Sequence, residues 1–123
     1  MSSDQYWGYH SIVDAGGCDH SAITDYDTIY RFAKKLVKDI DMVAFGEPQI
    51  VKFGSGDKAG YTLVQLIETS NICAHFVDEN NTLYLDVFSC KPFNEAVVQN
   101  LVAEFFGAKQ MRCSSMKRQA PIV

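Results

Sequence analysis

Three side chains in the middle of the chain could do chemistry at short spacing: the hydroxyl of Ser70, the imidazole of His75 and the thiol of Cys90. They lie in Glu68-Thr69-Ser70-Asn71-Ile72-Cys73-Ala74-His75 and Asp86-Val87-Phe88-Ser89-Cys90, which otherwise read as paired β-strands. A serine hydroxyl attacks a carbonyl once its proton is managed. An imidazole takes protons near neutral pH, and a thiol can give one up. These residue types also occur in ordinary hairpins, so spacing and surroundings must decide their meaning.

The elements that would position them follow from hydrophobic period and turn residues. Tyr6-Trp7-Gly8-Tyr9-His10-Ser11-Ile12-Val13-Asp14 is aromatic and β-branched and ends at Gly16-Gly17, which predicts a strand and a turn. Residues 21–27, rich in Ser, Thr and Asp, suit a helix start. Over residues 27–40, Ile29, Phe32, Ala33, Leu36, Val37 and Ile40 recur at helical spacing, with Arg31, Lys34, Lys35 and Lys38 on the other side. After the break at Gly46 and Pro48, a short strand is expected at Gln49-Ile50-Val51-Lys52-Phe53. Gly54-Ser55-Gly56-Asp57-Lys58-Ala59-Gly60 precedes a further strand rather than a helix, so it reads as a hairpin loop and not a phosphate cradle. Strands follow at residues 61–67, 72–77 and 83–88. Pro92 stands at the expected first position of a second amphipathic helix that Gly107 stops. A last strand is expected at residues 109–115. The order β-α-β-β-β-β-α-β predicts an α/β (α+β) fold. It is a two-layer sandwich with a mostly antiparallel sheet and two helices on one face. The other face then needs cover, which predicts a dimer.

At 123 residues the chain reads as a single domain, 1–123. The formal net charge of −4 argues against nucleic acid as a partner, because phosphate binding needs a basic face. It weakly favours a small cationic ligand. Lys109, Arg112, Lys117 and Arg118 make a mildly basic end that reads as a solvated tail. No apolar run is long enough to cross a bilayer, and Met1-Ser2-Ser3-Asp4-Gln5 is not a signal peptide. A cytoplasmic protein is expected. Cys18, Cys73, Cys90 and Cys113 form no C-x-x-C pair, so free thiols are expected and a metal is not. His10 and Cys18 read as packing residues, His20 as a loop residue, and Tyr61, Phe76 and Tyr84 as core or interface.

Taking Asn80-Asn81 as a two-residue turn fixes a register in which His75 faces Asp86, Cys73 faces Phe88 and Asn71 faces Cys90. Cys90 then lies one residue diagonally from Ser70. Ser70 and His75 are five residues apart along a strand, roughly 16 Å. They meet only through a bulge, a turn over residues 70–72, or reach from elsewhere.

Ser70, His75 following after Asn71-Ile72-Cys73-Ala74, and Leu85-Asp86-Val87-Phe88-Ser89-Cys90 resemble the prokaryotic class of pyruvoyl-dependent S-adenosylmethionine decarboxylases. That family shows a Ser, a His and an Asp-hydrophobic-Phe-Thr/Ser-Cys run at this spacing. Gly8-Tyr9-His10 with Cys18-Asp19 looks like its N-terminal strand motif, and Gly60-Tyr61-Thr62 falls where it carries a hydroxyl residue. The resemblance implies that Ser70 attacks the carbonyl of Thr69, and that elimination and hydrolysis then leave a β chain of residues 1–69 and an α chain of 70–123 headed by pyruvoyl. His75 would be the base for elimination, Thr62 a processing aid and Cys90 the acid that reprotonates Cα after CO₂ leaves. The pyruvoyl carbonyl would hold the substrate as a Schiff base, with no metal. Glu79 matches the carboxylate that binds the ribose hydroxyls, and an aromatic such as Phe53 could stack on adenine. The implied product feeds spermidine and other polyamines, and the implied assembly is a homodimer of processed αβ units. Two departures stand out. Thr69 and Asn71 flank Ser70 where the family commonly has Glu and His, and Val77-Asp78 replaces a Trp-Pro. Arginine or ornithine as substrate, and an unprocessed homologue that binds a nucleoside or a partner, are the alternatives.

Overall fold

A computed structural model of the chain describes residues 6–123, so Met1-Ser2-Ser3-Asp4-Gln5 lies outside the described residues. The order is β1 (Gly8–Gly16), α1 (His20–Ile23), α2 (Tyr26–Asp39), β2 (Gln49–Phe53), β3 (Gly60–Ile67), β4 (Ser70–Val77), β5 (Thr82–Ser89), α3 (Glu95–Phe106) and β6 (Gln110–Arg118). All six strands form one antiparallel sheet in the order β2-β3-β4-β5-β1-β6. The expected two-layer sandwich is present, with the short α1 added to the two long helices.

Helix α2 starts because Asp25 accepts a hydrogen bond from the Thr28 N–H at 2.9 Å, and its buried face is Ile29, Phe32, Ala33, Leu36 and Val37. Arg31 and Lys35 stay outside on i,i+4 ion pairs with Asp27 and Asp39, each at 3.0 Å. Helix α3 starts later than Pro92 suggested. Asn94 takes the cap, accepting from the Ala96 N–H at 3.0 Å, and Pro92 lies outside the helix. Gly107 ends it with a φ of 62°, a left-handed position suited to a residue without Cβ. The buried strand residues Val13, Ala15, Leu63, Ile67, Ile72, Ala74, Phe76, Leu83, Leu85 and Val87 alternate along the sheet and join the helices in one core. Phe106 is its hub, with ring centroids 4.9 Å from Phe32 and 5.1 Å from Phe76.

The other set of strand residues faces away from this core. Following the pairings across the sheet gives Val51, Thr62, His75, Tyr84, Asp14 and Arg112 in one row, and Asn71, Phe88, His10 and Met116 in another. No helix covers this face among the described residues.

Two further expectations need correcting. The β4–β5 connection has four residues, 78–81, because Val77 pairs with Thr82. Asn81 takes the left-handed conformation at φ 57° and its N–H donates to the Val77 carbonyl at 3.1 Å. The register is therefore two residues from the expected one: His75 faces Tyr84, Cys73 faces Asp86 and Asn71 faces Phe88. An even shift leaves every side chain on its expected face, since strand period is two. The second correction concerns the basic end. Lys117 and Arg118 belong to β6, paired with Tyr9 and Gly8, and are not a loose tail.

Candidate active site

The β3–β4 turn carries the first half of the site. Ile67 pairs with Ser70, so only Glu68 and Thr69 make the turn. A turn this short puts Thr69 at φ 59°. For a β-branched residue the left-handed region is a strained outlier, costing roughly 1–2 kcal/mol. The Thr69 hydroxyl donates to the Glu68 carbonyl at 2.5 Å, and its oxygen lies 2.7 Å from Cys90 Sγ. That hydroxyl has one proton, already committed to Glu68, so the Cys90 thiol is the donor of this pair. The Cys90 N–H donates to Ser70 Oγ at 3.2 Å. Thr69, Ser70 and Cys90 thus meet at one end of the sheet. The corrected register explains it, because the new pairing constant puts Cys90 opposite Thr69.

His75 does not join them. Its Nδ1 lies 3.1 Å from Thr62 Oγ1, the two residues being direct partners across β3 and β4. Within the chain His75 stays roughly 16 Å from Ser70 along β4. The odd separation also points it to the open face, whereas Ser70 alternates with the buried Ile72, Ala74 and Phe76. Phe53 and Glu79 lie at His75's end of the sheet. Phe53 is exposed on the edge strand opposite Gly60, and Glu79 is exposed in the β4–β5 turn. Gly60 tolerates no side chain, because a Cβ there would fall 1.6 Å from the Phe76 carbonyl oxygen. The Lys52–Asp78 ion pair at 2.9 Å ties β2 to that turn.

Sequence reasoning missed one pair. His10, read as a packing residue, places Nε2 3.0 Å from Asp86 Oδ1, while Arg118 Nη1 lies 3.5 Å from its Nδ1. Arginine only donates, so Nδ1 accepts and the Nε2–H is given to Asp86. Phe88 packs beside His10 with centroids 5.7 Å apart and under the Arg118 guanidinium at 5.0 Å. The β1–β5 pairing makes this contact, and no local spacing announces it. Asp86 also faces Cys73, whose thiol is pushed up first by burial and then by that carboxylate. A raised thiol stays protonated and unreactive.

A family model described as S-adenosylmethionine decarboxylase matches residues 9–119. The chain belongs to the S-adenosylmethionine decarboxylase family. A protein named S-adenosylmethionine decarboxylase proenzyme from Pyrococcus furiosus is 31% identical over 113 residues, 90% of this chain and 78% of that one. One of the same name from Geobacillus kaustophilus is 25% identical over 111 residues, covering 90% and 86%. The crystal structure of the adenosylmethionine decarboxylase from Aquifex aeolicus shares the fold, with a TM-score of 0.80 at 19% identity over 95% of this chain and 94% of that one. For an S-adenosylmethionine decarboxylase family member, the residues at the Thr69–Ser70 turn fit a serine-derived group. A serine follows a threonine held in the left-handed region, with an amide N–H and a thiol held across from it. No helix of the described residues is long and apolar enough to cross a membrane.

Proposed function

We propose that the chain is a self-processing, cytoplasmic S-adenosylmethionine decarboxylase whose catalytic group is made from Ser70. Its product would serve spermidine and polyamine biosynthesis. The observation that carries this reading is the Thr69–Ser70–Cys90 cluster: a threonine held in the left-handed region, a hydroxyl on the residue after it, and a thiol that can return a proton. Ser70 Oγ attacks the Thr69 carbonyl carbon, and the amide nitrogen leaves, so Thr69 becomes esterified to Ser70. A base then removes the Ser70 Cα proton, which expels the Thr69 carboxylate, and water releases ammonia from the new N-terminus. The products are chains of 1–69 and 70–123. A pyruvoyl group formed this way supplies an electron-accepting carbonyl for decarboxylating an α-amino acid without a metal. Cys90 holds the proton that returns to the substrate Cα.

His75 is the base in this scheme, and distance bars it from the Ser70 of its own chain. A homodimer that pairs two open sheet faces would bring a second chain's His75 to the Thr69–Ser70 backbone, from the face opposite the Ser70 side chain. With the sheets facing in opposite directions, the Thr62–His75 pair of one copy lies over the Ser70–Cys90 end of the other. Glu79 and Phe53 travel with His75, so each pocket would take its ribose-binding carboxylate and its adenine-stacking ring from the same neighbour. The Thr62 hydroxyl at Nδ1 orients the imidazole and leaves Nε2 to take the proton.

Intact-mass analysis of the expressed protein tests the scheme. Two fragments splitting between Thr69 and Ser70 are expected from the wild type and one uncut chain from Ser70→Ala. A wild type of full mass would leave an unprocessed binding homologue as the reading. Release of labelled CO₂ from S-adenosylmethionine, compared with arginine and ornithine, tests the substrate.

A further inference from the structure

The segment between α2 and β2 grips the cleavage turn from both sides. Helix α2 ends in a left-handed C-terminal cap in which Asp41 has a φ of 58°. The Asp41 N–H donates to the Lys38 carbonyl and the Met42 N–H to the Val37 carbonyl, each at 3.0 Å. This cap turns the chain back along the end of β3. Ala44 forms an antiparallel bridge with Ile67, and the Phe45 N–H donates to the Leu66 carbonyl at 2.9 Å. The Glu68 N–H donates to the Val43 carbonyl at 3.1 Å, which holds the residue directly before Thr69. Across the turn, Lys91 follows Cys90, and its ammonium donates to the Asp41 carbonyl at 2.6 Å.

We propose that residues 41–45 brace the cleavage turn and that Lys91 is a positioning residue for self-cleavage, a role that rests on the processing reading above. A threonine in the left-handed region relaxes unless its surroundings over-determine it. The brace supplies that constraint on the Glu68 side through a backbone bond. On the other side it acts through Lys91, which anchors the strand end that carries Cys90. Cys90 in turn holds Ser70 Oγ by its amide and touches the Thr69 hydroxyl by its thiol. Without the Lys91 anchor, Cys90 swings away, Ser70 Oγ loses its donor, and attack on the Thr69 carbonyl loses its alignment.

The test uses the full chain. Lys91→Met keeps the apolar stem and removes the donor, and it is expected to slow self-cleavage about tenfold, well within what a small misplacement costs. The unfolding temperature should hold, and Lys91→Arg, which restores a cationic donor, should recover most of the rate. In an uncleavable Ser70→Ala background, Lys91→Met should speed hydrogen exchange of the Glu68 amide several-fold while Lys91→Arg leaves it slow. A wild type that cleaves with a Lys91→Met chain cleaving equally fast overturns the positioning role. So does a Lys91→Met chain that unfolds early and gains nothing from Lys91→Arg. Unchanged exchange at Glu68 overturns the brace. A wild type that never splits overturns the processing reading and the role of Lys91 in it, while exchange still decides the brace.

Discussion

Ser70 differs from the other serines of the chain through its neighbours. Thr69 sits before it at a φ of 59°, and Cys90 sits across from both. If the strain at Thr69 helps the acyl shift, Thr69→Gly should slow cleavage by about tenfold, the rate equivalent of about 1.4 kcal/mol. The same change in a Ser70→Ala chain should raise stability by roughly that much, because glycine takes this conformation freely. Equal cleavage rates measured by mass would refute a contribution from strain. Cys90→Ala should still split but lose roughly 10²-fold or more in CO₂ release, the usual size of a general-acid contribution. Full activity would remove its acid role. Ser70, His75 and Cys90 could be singled out in the sequence because their spacing is local. The partner of His10 could not, because Asp86 reaches it only through the β1–β5 pairing.

Among the elements, hydrophobic period located the two long helices, residue types and turn signals located the strands, and the turns set their alignment. The two-residue reading of Asn80-Asn81 failed because Asn81 closes a wider, four-residue turn with Val77. That single difference moved Cys90 from opposite Asn71 to opposite Thr69, which is what brings its thiol onto the Thr69 hydroxyl beside the proposed cleavage bond. The segment joining α2 to β2 is tied down at its far end as well. Glu47 accepts from the Tyr30 hydroxyl at 2.5 Å and from Lys34 at 2.9 Å. The Tyr30 bond first, and the Lys34 bond second, hold its carboxyl below the usual glutamate range. A depressed folded pKa contributes stability that is present above the unfolded value and is lost as pH falls through the folded one. The unfolding temperature should therefore drop between about pH 5 and about pH 3 by more in the wild type than in Glu47→Gln. Identical acid profiles would show that this exposed pair contributes nothing measurable.

At the scale of the whole molecule, one chain holds the parts of the proposed processing site at two ends of a sheet. Thr62 and His75 are at one end and Ser70 and Cys90 at the other. If two copies complete each other, His75→Ala chains should stay uncut when expressed alone. They should be cut when co-expressed with Ser70→Ala chains, which lend an intact His75. Mass analysis of the tagged His75→Ala chain decides this, and a chain still uncut in the mixture refutes the paired-face dimer. Sedimentation of the wild type at twice the chain mass is the companion expectation.

Residue order alone determined the element order, the two-layer class and the face on which each side chain lies. It did so because helical and strand periods are written in consecutive residues. The strained geometry of Thr69, the contact of Cys90 with the turn, the His10–Asp86 pair and the brace from residues 41–45 were decided only by the tertiary structure. Each depends on the length of a turn or on strands distant in sequence, and one residue more or less in a turn changes which side chains meet.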